Sequence, residues 1–390
     1  EIMPSLVGSE MCIRDRCYQI YQFFHFHSNL LPSIYILLLY DIKIKHYFPC
    51  PDTIYSSFSV IGFSDMTYNT FSIVPIISVL YNTIIDLAIL HNLKVQSQKG
   101  LLIMNKKLLE GIIDMHVHTN PDIRHRRYDD FELMEAGIRI GARAIVIKTH
   151  QGTTVDRAYL CNKHNELTHH SDNNFTMFGG ITLNRQMGGI NPYAVESALK
   201  LGGKVVWLPT QSARNHLVKM KQPLDRCVDV LKDGKPVPEL YDIFRLVKDF
   251  NIVLATSHIS PEESYRVIEA ARDAGVKKIV VTHPEWWLVD MSLDDQVRLA
   301  RDYDVIHEHC FAQPLGGGKY KSNLPMNLEA IEACGYKNVM VCTDGGQVEN
   351  PCWEDALAQY IQYLIDHNIP ENQIYHMTHT IQANLLDLSI

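Results

Sequence analysis

The chain of 390 residues lacks several features that would class it quickly. It has no basic excess: 36 Lys and Arg stand against 44 Asp and Glu, a formal charge of −8. A protein that tracks a phosphate backbone needs a basic face, so nucleic acid is not an expected partner. There is no CxxC pair, and the nine cysteines (12, 17, 50, 161, 227, 310, 334, 342 and 352) form no regular framework. That pattern argues for free thiols in a reducing, cytoplasmic setting over a disulfide-stapled secreted domain. No G-x-G-x-x-G comes after a predicted strand, which removes the main support for an open dinucleotide-binding sheet.

Charge itself is scarce in one region. Residues 1–103 hold 13 charged side chains, whereas residues 104–390 hold 67. The first stretch is rich in Tyr, Phe, Ile, Ser and Asn and keeps no helical or strand period. Its opening, Met3 to Arg16, resembles translated sequencing-adapter read-through, and the remainder of the stretch resembles translated AT-rich non-coding sequence. Residues 1–103 are therefore expected to be a non-native leader, disordered or poorly folded, without catalytic chemistry. The competing reading is a membrane anchor over Tyr68 to Leu90, but Asn69, Pro75, Asn82, Thr83 and Asp86 interrupt that run. A secretory signal fits poorly. The folded body is expected over 104–390, with no membrane contact.

From residue 104, strand and helix patterns alternate. Ile112 to Asn120 opens the series, and further strands are expected over 142–150, 175–183, 204–209, 251–258, 277–283, 303–309 and 337–344. Helices are expected between them: Asp129-Asp130 caps one, Asn191-Pro192 opens another, and Gly202-Gly203 ends it. Residues 210–238 break the rhythm, with a hairpin expected around Asp233-Gly234. Eight mostly apolar strands, each succeeded by a helix, predict an α/β fold. The expected architecture is a (β/α)₈ TIM barrel with an insertion after strand four.

Barrel chemistry gathers at the carboxyl ends of the strands. Those ends carry His116 and His118; Lys148 and His150; His258; His283; His307, Glu308 and His309; and Asp344. Seven of the fifteen histidines after residue 103 sit at these few positions, where surface or core histidines would scatter. Strand alternation turns His116 and His118 to one side and Met115 and Val117 to the other, so the pair is half of a metal site. Lys148 shares its parity with Val146 and His150 and can point inward. Arg124, Arg126 and Arg127 read as a solvated charge run, and Trp286-Trp287 either wall the pocket or pack.

This set of strand ends resembles the amidohydrolase superfamily of metal-dependent hydrolases over about 110–388. Thr380 to Leu388 is also similar to an ending common there, with its Pro and Gly absent. The resemblance implies His116, His118, His258 and Asp344 as ligands of a divalent ion, most simply zinc. It implies His283 as a second-metal ligand or catalytic partner, and Asp344 as the group that moves the proton. Two-metal members bridge their ions with a lysine or glutamate from strand three or four, and neither strand offers one here. One ion is therefore expected, with Lys148, His150 and Glu308 left for the substrate or for bridging. The reaction expected is hydrolysis of a C–N or ester bond in a small molecule, with no nucleic acid involved and homo-oligomers open. A mononuclear decarboxylase and a non-catalytic binding barrel are the alternatives.

Overall fold

Mostly buried parallel strands form the core of the described residues. The computed structural model describes residues 106–389 apart from Ser171, Gly317 and Gly318, and the expectations for residues 1–103 lie outside that range. Strands β1 (Ile113–His118), β2 (Ala144–Lys148) and β3 (Thr176–Phe178) pair in that order, all parallel. A second parallel sheet runs in chain order through β4 (Gly180–Thr182), β5 (Val205–Trp207), β6 (Val253–Ala255), β7 (Ile279–Thr282), β8 (Ile306–Cys310) and β9 (Val339–Cys342). The single strand expected over 175–183 is thus two, with Gly179 between them. The fold is α/β with parallel strands, whose valine- and isoleucine-rich sequences suit pairing buried on both faces.

Local chemistry sets the helix starts. Asp129 caps α1 (Asp130–Ile140) and forms a reciprocal capping box with Glu132. The next helices are α2 (Val155–His169) and α3 (Pro192–Lys200), the latter capped by Asn191 with proline in its first turn. Ser260 and Glu263 repeat the capping box where the chain turns into the helix Pro261–Asp273.

Between β5 and the helix Pro238–Asp249 lies a short helix, α4 (Arg214–Lys219), and a two-stranded ribbon pairing Leu231–Lys232 with Lys235–Pro236. Asp233 and Gly234 at its tip both have positive φ, as a type I′ turn requires.

The apolar strand residues pack together with the closing helix Ile381–Leu386, which contributes Ile381, Ala383, Leu385 and Leu386 to the same cluster. Among the described residues, no helix is long and apolar enough to cross a membrane.

One strand departs from simple alternation. Asp114 pairs with Ile145 and Val117 with Ile147, so Met115 and His116 together oppose the single residue Val146. This is a β-bulge. Met115 therefore packs with Ile113, Ala144 and Val146, whereas Val117 packs with Leu133, Ile145 and Ile147. The expectation that Met115 and Val117 share a side is corrected by that extra residue.

Candidate metal centre

The ends of β1 and β9 are brought together by backbone bonds. The His118 N–H donates to Gly345 O at 2.9 Å, and Val117 bridges Gly345 in parallel. Gly346 sits at φ +89°, and a Cβ there would collide with His118 O, so this close approach needs glycine. Asp114 adds a side-chain clamp. Its Oδ2 accepts from Thr343 Oγ1 (2.6 Å) and Trp353 Nε1 (2.8 Å). Its Oδ1 accepts from His116 N (3.0 Å) and Thr343 N (3.4 Å). Burial pushes the Asp114 carboxyl up to about 6, against those four donated bonds.

The clamp converges three candidate ligand atoms. His116 Nε2 and His118 Nε2 are 3.3 Å apart, and each lies 3.2 Å from Asp344 Oδ1. Asp344 Oδ1 is buried and accepts no hydrogen bond from the described residues. Zinc bound tetrahedrally to nitrogen and oxygen at roughly 2.0–2.1 Å would separate its ligands by about 3.3 Å. The triangle therefore has the dimensions of one face of such a site, and the residues fit a divalent ion.

His116 is oriented for that role from behind. Its Nδ1 stands 2.6 Å from Glu308 Oε1, and an ionised Glu308 there would hold the imidazole proton on Nδ1 and leave the Nε2 lone pair directed at the triangle. Burial pushes the Glu308 carboxyl up to about 8, with Lys148 pulling the other way. Burial lowers His116 to about 3, and Lys148 adds to that while Asp344 opposes it. Cys310 is a neighbour of Glu308 at 3.6 Å, and burial raises its thiol well above the ordinary range.

Five imidazoles close a ring around this point. Centroid distances run 5.3 Å from His116 to His118, 4.8 Å to His150, 5.7 Å to His258, 5.1 Å to His283 and 5.7 Å back to His116. Burial is the first cause of lowered basicity in all five, and the Lys148 ammonium depresses each of them further. Lys148 itself is fully buried, with Nζ lacking a hydrogen-bond partner among the described residues and lying 5.6 Å from the Trp207 ring centroid. Burial lowers its pKa, opposed by Glu308 and Asp344. Trp286 packs edge-on against His258 (4.7 Å) and His283 (4.8 Å), so it walls the ring, while Trp287 is half exposed.

Backbone strain marks the same place. Ser257, His283 and Asp344, each at a strand end, have φ of 57°, 32° and 46°. Such conformations cost about 1–3 kcal/mol each and cluster at functional sites.

Two site features were not legible from strand ends. His216, on α4, stacks on His258 at 5.0 Å, with the two Nδ1 atoms 2.8 Å apart. Asn215 beside it donates to His258 O (3.1 Å) and Leu288 O (2.8 Å), tying α4 to the loops after β6 and β7. Arg126 is buried and not solvated: Asp122, four residues back, holds its guanidinium at 2.7 Å, and Gln347 takes Nη1. Arg124 and Arg127 are exposed. His307 and His309 lie off the ring, His307 bonded to Gln296 O (2.8 Å) and His309 paired with Glu285 (3.0 Å).

A profile described as "Family of unknown function (DUF6282)" matches residues 111–308, just over half of the chain. The chain belongs to that family. The matched span of this DUF6282 member runs from the turn before β1 to Glu308, and so takes in the histidine ring but not Asp344. No curated protein matches it. Among solved structures, an amidohydrolase from Pseudomonas aeruginosa superposes with a TM-score of 0.53 at 13% identity, covering 74% of this chain and 98% of that one. A putative 2-pyrone-4,6-dicarboxylic acid hydrolase from Pseudomonas putida is similar at TM-score 0.48 and 13% identity, covering 72% and 98%. A 2,6-dihydroxybenzoate decarboxylase from Rhizobium is similar at TM-score 0.43 and 10% identity, covering 71% and 99%. The first of these likenesses shows an amidohydrolase-type fold for the DUF6282 chain.

Proposed function

We propose that this chain is a metal-dependent hydrolase of C–N or ester bonds, built on a closed (β/α)₈ barrel with an insertion after the fourth strand. The observation that carries the reading is the triangle of His116 Nε2, His118 Nε2 and Asp344 Oδ1, with sides of 3.2–3.3 Å. His258 completes the set of four: its Nδ1 faces His216, and its Nε2 has no protein partner among the described residues. His283, next in the ring, is a catalytic partner. A divalent ion held there, zinc in our reading, supplies Lewis acidity that acidifies water and polarises a carbonyl.

The remaining roles belong to the chain. Asp344 faces the imidazoles through Oδ1, so Oδ2 is the oxygen that takes a proton from the attacking water and returns it to the leaving group. Glu308 keeps the His116 tautomer in place through Nδ1. Lys148 is the buried cation without a partner among the described residues, and an unpaired buried charge is costly. It serves as the anchor for a substrate carboxylate, because Arg126 is already satisfied by Asp122. The Trp286 ring excludes water from the His258 and His283 side. The substrate is a small molecule, and the setting is the cytoplasm.

Metal analysis of the purified protein, then a panel of amides, cyclic amides and esters, tests the proposal. Stoichiometric metal with hydrolysis supports it. Carbon dioxide release from an aromatic acid would replace it with decarboxylation, and a protein that holds no metal would leave a binding barrel.

A further inference from the structure

The tautomer of His150 can be read from its neighbours, and it gives that residue a role. Asn184 and Thr210 are both fully buried. Asn184 Oδ1 accepts from the backbone N–H of Thr210 (2.9 Å) and of Ser212 (3.0 Å). Backbone amides only donate, so these two bonds fix which end of the side chain is the oxygen. The Asn184 Nδ2 then donates to His150 O (2.9 Å) and to Thr210 Oγ1 (2.5 Å).

That last bond leaves the Thr210 hydroxyl proton to be placed. Among the described residues the other group within reach is His150 Nδ1, at 2.8 Å. If Nδ1 carried a proton, it and Asn184 would both donate to Thr210, and a buried hydroxyl proton would have no acceptor. An unmade buried hydrogen bond costs about 1–3 kcal/mol, equivalent to a roughly 5- to 150-fold bias. Thr210 therefore donates to Nδ1, and the imidazole proton sits on Nε2. His150 Nε2 has no protein partner among the described residues, and the ring stacks on His118 at 4.8 Å.

We infer that Asn184 and Thr210 lock His150 as the Nε2–H tautomer, so that it enters the site as a hydrogen-bond donor to the substrate's developing oxyanion and not as a metal ligand. The inference rests on the hydrolase reading for its substrate, but the tautomer itself does not. His150 is then a catalytic residue, and Thr210 and Asn184 are positioning residues that act through it.

The test uses full-length protein with ¹⁵N-labelled histidine, His150 being assigned from the signals lost in His150→Gln. Two-bond proton–nitrogen correlations should show Nδ1 unprotonated and Nε2 protonated. Thr210→Ser should preserve that pattern, and Thr210→Val should collapse it to a mixture of tautomers. Metal content should be unchanged in His150→Gln and in both Thr210 variants. On any substrate found by the panel, His150→Gln should lower kcat about 10²–10³-fold, the usual cost of one oxyanion donor. Thr210→Val should lower kcat with KM nearly constant, and Thr210→Ser should recover it. A protonated Nδ1 in the unmodified protein, or metal lost from His150→Gln, overturns the inference. Absence of metal from the unmodified protein would instead overturn the hydrolase reading and leave the tautomer standing.

Discussion

Glu308 places its Oε1 2.6 Å from Nδ1 of His116, with both side chains buried. Glu308 on β8, when ionised, thus sets the tautomer and tilt of an imidazole on β1. Partners of this kind typically contribute about 10- to 100-fold to metal affinity. Glu308→Gln keeps an acceptor but can no longer ionise when zinc binds, so the protein should remain folded and bind zinc about 10- to 100-fold more weakly. Competition with a chelator of known affinity measures this, and an unaltered affinity would remove Glu308 from the site.

The ligand triangle makes a sharper prediction. His116→Ala and His118→Ala should each strip the ion, since a missing imidazole leaves too few donors at that geometry. Asp344→Asn should behave differently: its amide oxygen still faces the imidazoles but cannot take a proton. Most of the metal should stay while turnover falls by about 10²–10⁴-fold. Full metal occupancy in both histidine variants would mean that the ion sits elsewhere.

Lys148 decides how many ions the site holds. As a substrate anchor, Lys148→Ala should leave the metal count at one per chain and raise KM. A carbamate bridge would instead show two ions in the unmodified protein, one in the variant, and partial recovery with a short carboxylic acid. Elemental analysis of the unmodified protein separates the two, and two tightly bound ions would end the anchor assignment.

His307 lies outside the metal ring and gives a pH prediction. Burial lowers its pKa from 6.5 to about 3, with His309 adding to the shift and the bond to Gln296 O opposing it. The unfolded chain therefore binds a proton at His307 that the folded chain refuses. Its stabilising effect is complete above about pH 6.5 and is lost as pH falls from there toward about 3. Urea melts of metal-free protein between about pH 7 and pH 4.5 should show stability falling with acid, and His307→Gln should flatten that slope by about one proton. Equal slopes would show that His307 titrates normally.

Strand ends were the informative part of the sequence, because parallel strands with helical crossovers deliver their last residues to one end. His116, His118, His258, His283 and Asp344 could be read that way from position alone. His216 could not: it sits mid-helix on α4, within a segment whose course over the strands no periodicity encodes. Arg126 looked solvated because its neighbours Arg124 and Arg127 are, and its partner Asp122 becomes one only when the turn folds. Asn184 and Thr210 gave no signal, since amides and hydroxyls occur throughout loops and their value here lies in which atom faces which. The third strand was expected whole and is split at Gly179, where the chain passes from one sheet to the other.

The bulge in β1 has a consequence for ion binding that reaches beyond its own ladder. Asp114, His116 and His118 are spaced i, i+2, i+4, and in a regular strand all three side chains would point one way. A carboxylate would then stand in line with the two imidazoles and compete for the same ion. The extra residue sorts them: the imidazoles stay with Asp344, and Asp114 turns to Thr343 and Trp353. A single unpaired residue thus lets one short strand supply both the two imidazoles of the proposed ion site and the fastener that joins it to the end of β9.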